Sequence, residues 1–461
     1  MSETTPRPAP SAGSGHGPAT GPRRVLGLLV AVALVAGGVA YTVEQREQDA
    51  RARAAATQVT TPAPPPPKST KQTRAAAAIA ARRVAIDTIL IRRAQAVQAG
   101  NEALFLTDVD PANKQLRAEQ KILFANLVEI GFSEIGFSQA EERFNPAVLQ
   151  AHGSTTYLVR ILMRYQIPAV DFTPVTTELG YTFVARGGRW LLTADDELDE
   201  DLGPGAHREA WDLGRIEVQR GPRVLVVVEK GDTRRGRAIV RETTEGLEQV
   251  LAYWPRKWTG SVFVIALDET EVRDARFADE DIESAASTGT TFSSLPGQDT
   301  ADGTVAGGYV VINPNERDRV DEILLSHELT HVATADLGGY EPLWLAEGVA
   351  EYVSWSGIEA IGGGSEVAKW EQEVIDDAVP QMTSLPSDAG FYQNSADVYG
   401  VSWLAVRYLA QRIGLAKVEE LYADMAMNGI DQAARDRILL SRTGLTEATL
   451  WTSLTTYEPQ R

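Results

Sequence analysis

The chain contains no cysteine. That excludes disulfides, thiolate nucleophiles and sulfur-ligated zinc or iron–sulfur sites. Histidine is scarce: there are 5, at positions His16, His152, His207, His327 and His331. Any imidazole-based metal site must be built from these few. Cationic charge is also in deficit, with Lys+Arg 44 against Asp+Glu 63 and a formal charge of -19 over 461 residues. So acidic a chain lacks the cationic face that phosphate binding needs, and no nucleic-acid partner is expected. Long hydrophobic runs are absent but for one, at 25–43. With hydrophobic residues at 43% and charged residues at 23%, the rest reads as a folded globular body.

The organisation follows from composition. Residues 1–24 read as a disordered tail of Pro, Ser, Gly and Thr ending in Arg23-Arg24. The uncharged run 25–43 would rise about 28 Å as a helix, close to bilayer thickness, so a transmembrane helix is expected. A cleaved signal peptide is the alternative, since Gly38-Val39-Ala40 offers small residues for cleavage. Arg23-Arg24 abuts the span, which favours a cytoplasmic N-terminus and an extracytoplasmic C-terminal body at the cell membrane. Residues 44–74, with Pro62 and Pro64 to Pro67, read as an extended stalk.

Residues 75–200 read as an α+β domain. Ile79, Val84, Leu90, Ile91, Ala94 and Val97 have helical spacing, and 114–132 reads as a second helix. The period then becomes two: Tyr157, Val159, Ile161, Met163 and Tyr165 alternate with polar residues, as do Leu179, Tyr181 and Phe183. Gly187-Gly188 supplies a hairpin turn. Helices followed by a curved meander resemble the cystatin-like, nuclear-transport-factor-type cone fold. Such a unit serves as a spacer or docking module, or holds a ligand in its cone. Residues 222–461 read as strands at 223–229, 261–268 and 308–313, with a helix at 234–254, then mainly helix. The stretch 278–305 has no clear period and reads as a disordered segment or a functional lid. The expected fold class is therefore α+β: a transmembrane helix, a cystatin-like domain, then a small mixed sheet followed by helices.

The chemistry lies in His327-Glu328-Leu329-Thr330-His331, an H-E-x-x-H motif that random order would produce about 0.004 times in such a chain. Ile323, Leu324, Leu325, Leu329, Val332 and Ala333 give it an apolar helical surface. Asn315 with Asp318 three residues on resembles a capping box for the helix start. Residues i and i+4 share a helix face, so His327 and His331 can reach one metal. Glu328 points about 100° round from His327, where its carboxylate can take a proton from an activated water. Zinc suits the pattern, because it accepts N and O ligands and its catalytic sites keep an open position.

A third ligand is required. No histidine follows His331, so it must be acidic: Glu341, Glu347 or Glu351. Gly338-Gly339 breaks the motif helix, and Pro342 suits the first turn of the next. In an antiparallel pair, His331 lies about 9 Å and His327 about 15 Å from the turn; Glu347 lies about 7.5 Å and Glu351 about 13.5 Å along the return helix. Glu347 then stands level with His331 as the ligand, and Glu351 with His327 as an outer acceptor that orients it.

The motif, followed by Leu343-Trp344-Leu345-Ala346-Glu347-Gly348-Val349-Ala350-Glu351-Tyr352, resembles the gluzincin metallopeptidases of the thermolysin-like MA clan. The W-L-x-E-G segment is similar to that of membrane alanyl aminopeptidases. The resemblance implies Glu347 as ligand and Glu328 as general base. The gap between motif and Glu347 is shorter than in thermolysin, which keeps Glu351 open as the ligand. In gluzincins the strand before the motif helix, here Gly307-Gly308-Tyr309-Val310-Val311-Ile312, pairs with substrate backbone; it also reads as an ordinary sheet strand. No G-x-M-E-N segment is present, so endopeptidase rather than aminopeptidase action is implied. Tyr399, before the helix at 401–414, reads as an oxyanion donor or as a packed aromatic. The expected function is zinc-dependent hydrolysis of a peptide or protein substrate at the membrane. The alternatives are a tethered binding or scaffold protein that keeps a peptidase-like fold, and a ligand-binding protein centred on 75–200.

Overall fold

Apolar residues spaced three and four apart set the first helix, α1 (Thr70–Gln98), against the N-terminal sheet. In this computed structural model the described residues are 70–203, 209–258, 261–268, 286–293, 304–315, 320–389, 391–393 and 395–459. The buried stripe of α1 is Ile86, Ile89, Leu90, Arg93 and Val97. Ile79, Val84 and Ile91, expected on that face, stay about half exposed or more, because they lie round the helix from the stripe. Helix α2 (Lys114–Ile130) starts on Asn113, whose side chain accepts from Leu116 N at 3.1 Å.

Strands β1 (Glu134–Arg143), β2 (Thr156–Gln166), β3 (Val175–Arg186) and β4 (Arg189–Ala194) form an antiparallel meander in chain order. Gly187 and Gly188 close the β3–β4 hairpin with φ of 58° and 78°, a turn that a Cβ would strain.

The second sheet comprises β5 (Ile216–Gly221), β6 (Val224–Glu229), β7 (Val262–Ile265), β8 (Ala286–Ser293) and β9 (Thr304–Ile312), in the order β5-β6-β7-β9-β8. Its centre is parallel and its two outer strands antiparallel. Helix α3 (Thr233–Tyr253) makes the crossover from β6 to β7. Its central strands β6, β7 and β9 are buried on both faces, which is why they are almost continuously apolar. Val224, Val226 and Val228 face the C-terminal helices. Leu225 and Val227 share a core with the N-terminal meander. The two expected units therefore meet through one apolar layer. Asn126 of α2 ties them further: its amide donates to the Trp211 and Gly214 carbonyls at 3.0 and 2.9 Å and accepts from Ile216 N at 3.2 Å.

The C-terminal half adds α4 (Glu322–Thr334), α5 (Leu343–Ile358), α6 (Gly364–Glu373), α7 (Ser395–Ile413), α8 (Leu415–Asn428), α9 (Gln432–Thr443) and α10 (Glu447–Leu454). Every residue of α4 from Ile323 to Thr334 is buried, so it is the central helix of this half.

Four expectations change. The apolar run 25–43 lies outside the described residues, and among those described no helix is long and apolar enough to cross a membrane. The two longest helices show why: α1 carries Arg82, Arg83, Asp87, Arg92 and Arg93, and α3 carries Arg234, Arg235, Arg241, Glu242 and Glu248. The fold class is corrected to mixed α+β with no membrane-spanning helix among the described residues, and the membrane location with an extracytoplasmic body is withdrawn with it. Part of the aperiodic stretch 278–305 forms β8, because its backbone pairs with β9. That pairing makes β9 an interior strand rather than a free edge. Finally, α4 is capped by Asp321, whose carboxylate accepts from Ile323 N and Leu324 N at 3.1 and 2.9 Å. Asn315 instead bonds Asn313, and Asp318 lies outside the described residues.

Candidate metal centre

Two close helix packings bring the site together. Gly246 of α3 lies so near α4 that a Cβ there would be 2.9 Å from Ser326 N. Gly348 of α5 lies against α7, where a Cβ would be 2.4 Å from the Ser402 carbonyl oxygen. Glycine at 348, directly after Glu347, is thus a packing requirement. The pairs His331–Glu347, His327–Glu351 and Ser326–Ser354 step in opposite directions along α4 and α5, so the helices are antiparallel. Asp388 anchors the start of α5 by accepting from Leu343 N at 2.8 Å.

Three donor atoms converge. His327 Nε2 is 3.2 Å from His331 Nε2 and 3.2 Å from Glu347 Oε2, and His331 Nε2 is 3.3 Å from the same oxygen. All three side chains are at most 2% exposed. These atoms form the group that could hold a metal ion among the described residues. A triangle with such edges is one face of a tetrahedron around a cation about 2.0 Å from each corner, which is a normal bond length for a small divalent ion with N and O ligands. Glu347 Oε2 has no aligned hydrogen-bond donor. Its partner oxygen Oε1 accepts from the Tyr392 hydroxyl at 3.3 Å.

Glu351 stands behind His327, its Oε1 3.2 Å from Nδ1 in an ion-pair contact rather than an aligned hydrogen bond. Its other oxygen accepts from Trp355 Nε1 at 2.9 Å. Glu328 lies beside the donors, wholly buried, with Oε2 accepting from Thr288 Oγ1 at 2.5 Å. Glu341 is outside the cluster and takes the Tyr422 hydroxyl at 3.0 Å. Tyr399 is buried, its ring 6.5 Å from that of His327 and packed edge-on against Phe391. The Tyr392 hydroxyl meets the donor residue Glu347.

The electrostatics follow from crowding these groups out of water. Burial opposes charge on His327, but Glu347 and Glu351 at its two nitrogens outweigh that and push the imidazole up to about 10. Burial likewise raises Glu347, yet His331 and His327 overcome it and bring the carboxyl down to about 2. A cation binding at His327 Nε2 must displace the proton that these carboxylates favour there. Burial raises Glu328 against the opposing pull of His327, His331 and Thr288. It also raises Tyr399 well above the ordinary phenol range, with Glu347 adding to the effect.

Of the sequence-derived residues, His327, His331 and Glu347 come together, with Glu351 and Glu328 adjacent. His152 is far along the chain and pairs with Glu197 at 2.6 Å, while His16 and His207 lie outside the described residues. Thr288 and Trp355 carry no signal for the site in the sequence. Thr288 sits in the aperiodic Ser/Thr-rich stretch, where no spacing marks it, and Trp355 reads from sequence only as core. No protein-family model matches the chain, and no curated protein matches it.

Proposed function

We propose that this protein is a zinc-dependent peptidase that hydrolyses peptide bonds within peptide or protein substrates. The observation that carries this reading is the tetrahedral face formed by His327, His331 and Glu347 with the carboxylate of Glu328, whose Oε1 has no hydrogen-bond partner, beside it. Two imidazoles and one carboxylate, with no thiolate, are a donor set that zinc accepts while keeping a position open. Zinc bound there would lower the pKa of water and polarise a carbonyl oxygen. Glu351 and Tyr392 orient the ligands His327 and Glu347 through their outward-facing atoms.

The chain's own residues supply the proton transfers. Glu328 accepts a proton as water oxygen bonds to the substrate carbonyl carbon. It returns that proton to the amide nitrogen as the C–N bond breaks, leaving an acid and an amine. The H-E-x-x-H and W-L-A-E-G segments support the gluzincin class, and the lack of G-x-M-E-N supports internal cleavage.

The test is zinc analysis of protein purified without chelator, with cleavage of an unfolded protein measured before and after chelation. About one zinc per chain and chelator-sensitive cleavage are expected. Glu328→Gln should keep zinc while kcat falls on the order of 10²–10⁴-fold, because an amide cannot take up the proton. Zinc without any cleavage would instead favour the scaffold reading.

A further inference from the structure

Thr288 joins the outermost strand of the second sheet to the proposed base. It pairs with Val310 in the β8–β9 ladder, and its side chain is 3% exposed. Its hydroxyl is 2.5 Å from Glu328 Oε2 and 3.1 Å from the Glu328 carbonyl oxygen. A hydroxyl has one proton to give, and the shorter contact is in the charge-assisted range, so the carboxylate takes it. The other carboxylate oxygen, Oε1, is buried with no hydrogen-bond partner among the described residues. A glutamate carboxylate turns easily about its last torsion, whose energy profile is broad and two-fold. One fixed oxygen stops that rotation.

We infer that Thr288 is a positioning residue for Glu328: its hydroxyl pins Oε2 and so presents the orphan Oε1 as the atom that accepts a proton. The chemical consequence rests on the proposed hydrolysis; the pinning rests on the hydrogen bond alone. Because Thr288 belongs to β8, the seating of that strand on β9 and the aim of the base are coupled.

Two variants of the full chain test this. Thr288→Val keeps the shape and removes the hydroxyl, whereas Thr288→Ser keeps the hydroxyl. Thr288→Val should bind zinc at unchanged stoichiometry and leave the absorption spectrum of the cobalt-substituted protein unaltered. Its kcat should fall about 10–100-fold with KM within about two-fold, as for other groups that orient a reacting residue. Thr288→Ser should restore kcat to within about three-fold of wild type. Thermal unfolding of the metal-free protein supplies a readout independent of activity. Thr288→Val should lower Tm by about 2–4 °C in the wild-type background and not in Glu328→Ala, where the partner is gone. An equal Tm shift in both backgrounds, or an unchanged kcat in Thr288→Val, would overturn the inference. If wild type holds zinc but cleaves nothing, the hydrolytic reading falls and the Tm cycle alone decides whether Thr288 pins Glu328.

Discussion

Two regions of this protein bury charged side chains, and they do so in opposite ways. In the N-terminal unit, Arg93 is 2% exposed and donates to Gln120 at 2.5 Å. Gln120 in turn donates to Asp195 at 2.5 Å, and the guanidinium lies 3.8 Å over the Phe105 ring. Cation, relay and anion all belong to the chain, although Arg93 Nε is left without a hydrogen-bond partner. In the C-terminal half, Glu328, Glu347 and Glu351 surround His327 and His331, and Oε1 of Glu328 and Oε2 of Glu347 have no aligned donor. A buried polar group without a partner costs about 1–3 kcal/mol, more when charged. The first arrangement sets its cation against an anion of the chain through Gln120, whereas the second gathers carboxylates and imidazoles whose charge is balanced when a cation is supplied. This contrast separates a structural charge cluster from a chemical one better than burial does, since both are almost fully buried.

Removing a donor should break the C-terminal cluster most severely. His331→Ala and Glu347→Ala should each lose nearly all bound zinc, measured by metal analysis after gel filtration, because two ligands do not hold a catalytic zinc. Arg93→Met should leave zinc stoichiometry untouched but lower unfolding free energy by about 3–5 kcal/mol, because Asp195 and Gln120 lose their buried cation. Denaturant unfolding reads that loss; any accompanying loss of zinc would show the two regions to be coupled. Glu351→Ala sharpens the comparison within the site. It should weaken zinc binding about 10–100-fold while retaining it in excess metal, as a zinc titration at neutral pH would show. If Glu351→Ala abolishes binding and Glu347→Ala retains it, the ligand assignment is reversed.

The smallest effect is a pH slope. Asp171 is pushed up to about 7 by burial, opposed by its bond from Ile167 N and aided by Glu209. The fold therefore prefers the protonated carboxyl, and the unfolded chain releases the proton first. Stability is full below about pH 4 and falls as pH rises toward 7, by up to about 1.4 kcal/mol per pH unit. Asp171→Asn should flatten that slope in unfolding titrations between these pH values. An unchanged slope would assign it to another group, such as Asp195, which burial raises to about 6 against the pull of Arg93.

Much of the site was legible before any coordinate. An i, i+4 histidine pair can only share a helix face, and a Gly-Gly break followed by Pro342 implies an antiparallel return. Residue rise alone then puts Glu347 level with His331 and Glu351 level with His327, as the contacts have it. The hairpin at Gly187-Gly188 and the crossover helix between β6 and β7 were legible for the same reason: local geometry restricts the backbone whatever the rest of the chain does. The start of α4 was not, because several polar residues before it can cap and only the packed helix chooses Asp321. The α1 stripe was legible only in part, since its period is local but the face it buries depends on the sheet beneath.

Long-range pairing decided the rest. β8 has no periodic signal; it is a strand because β9 offers it a ladder, and Thr288 reaches Glu328 only because that ladder puts it there. Tyr392 meets Glu347 across 45 residues of chain, a contact that no local spacing marks. Sequence by itself determined which side chains could gather into a donor cluster and how they space along two helices, since covalent geometry limits both. Only the tertiary structure decided which oxygen of each carboxylate stays without a partner, since that depends on groups brought from distant parts of the chain.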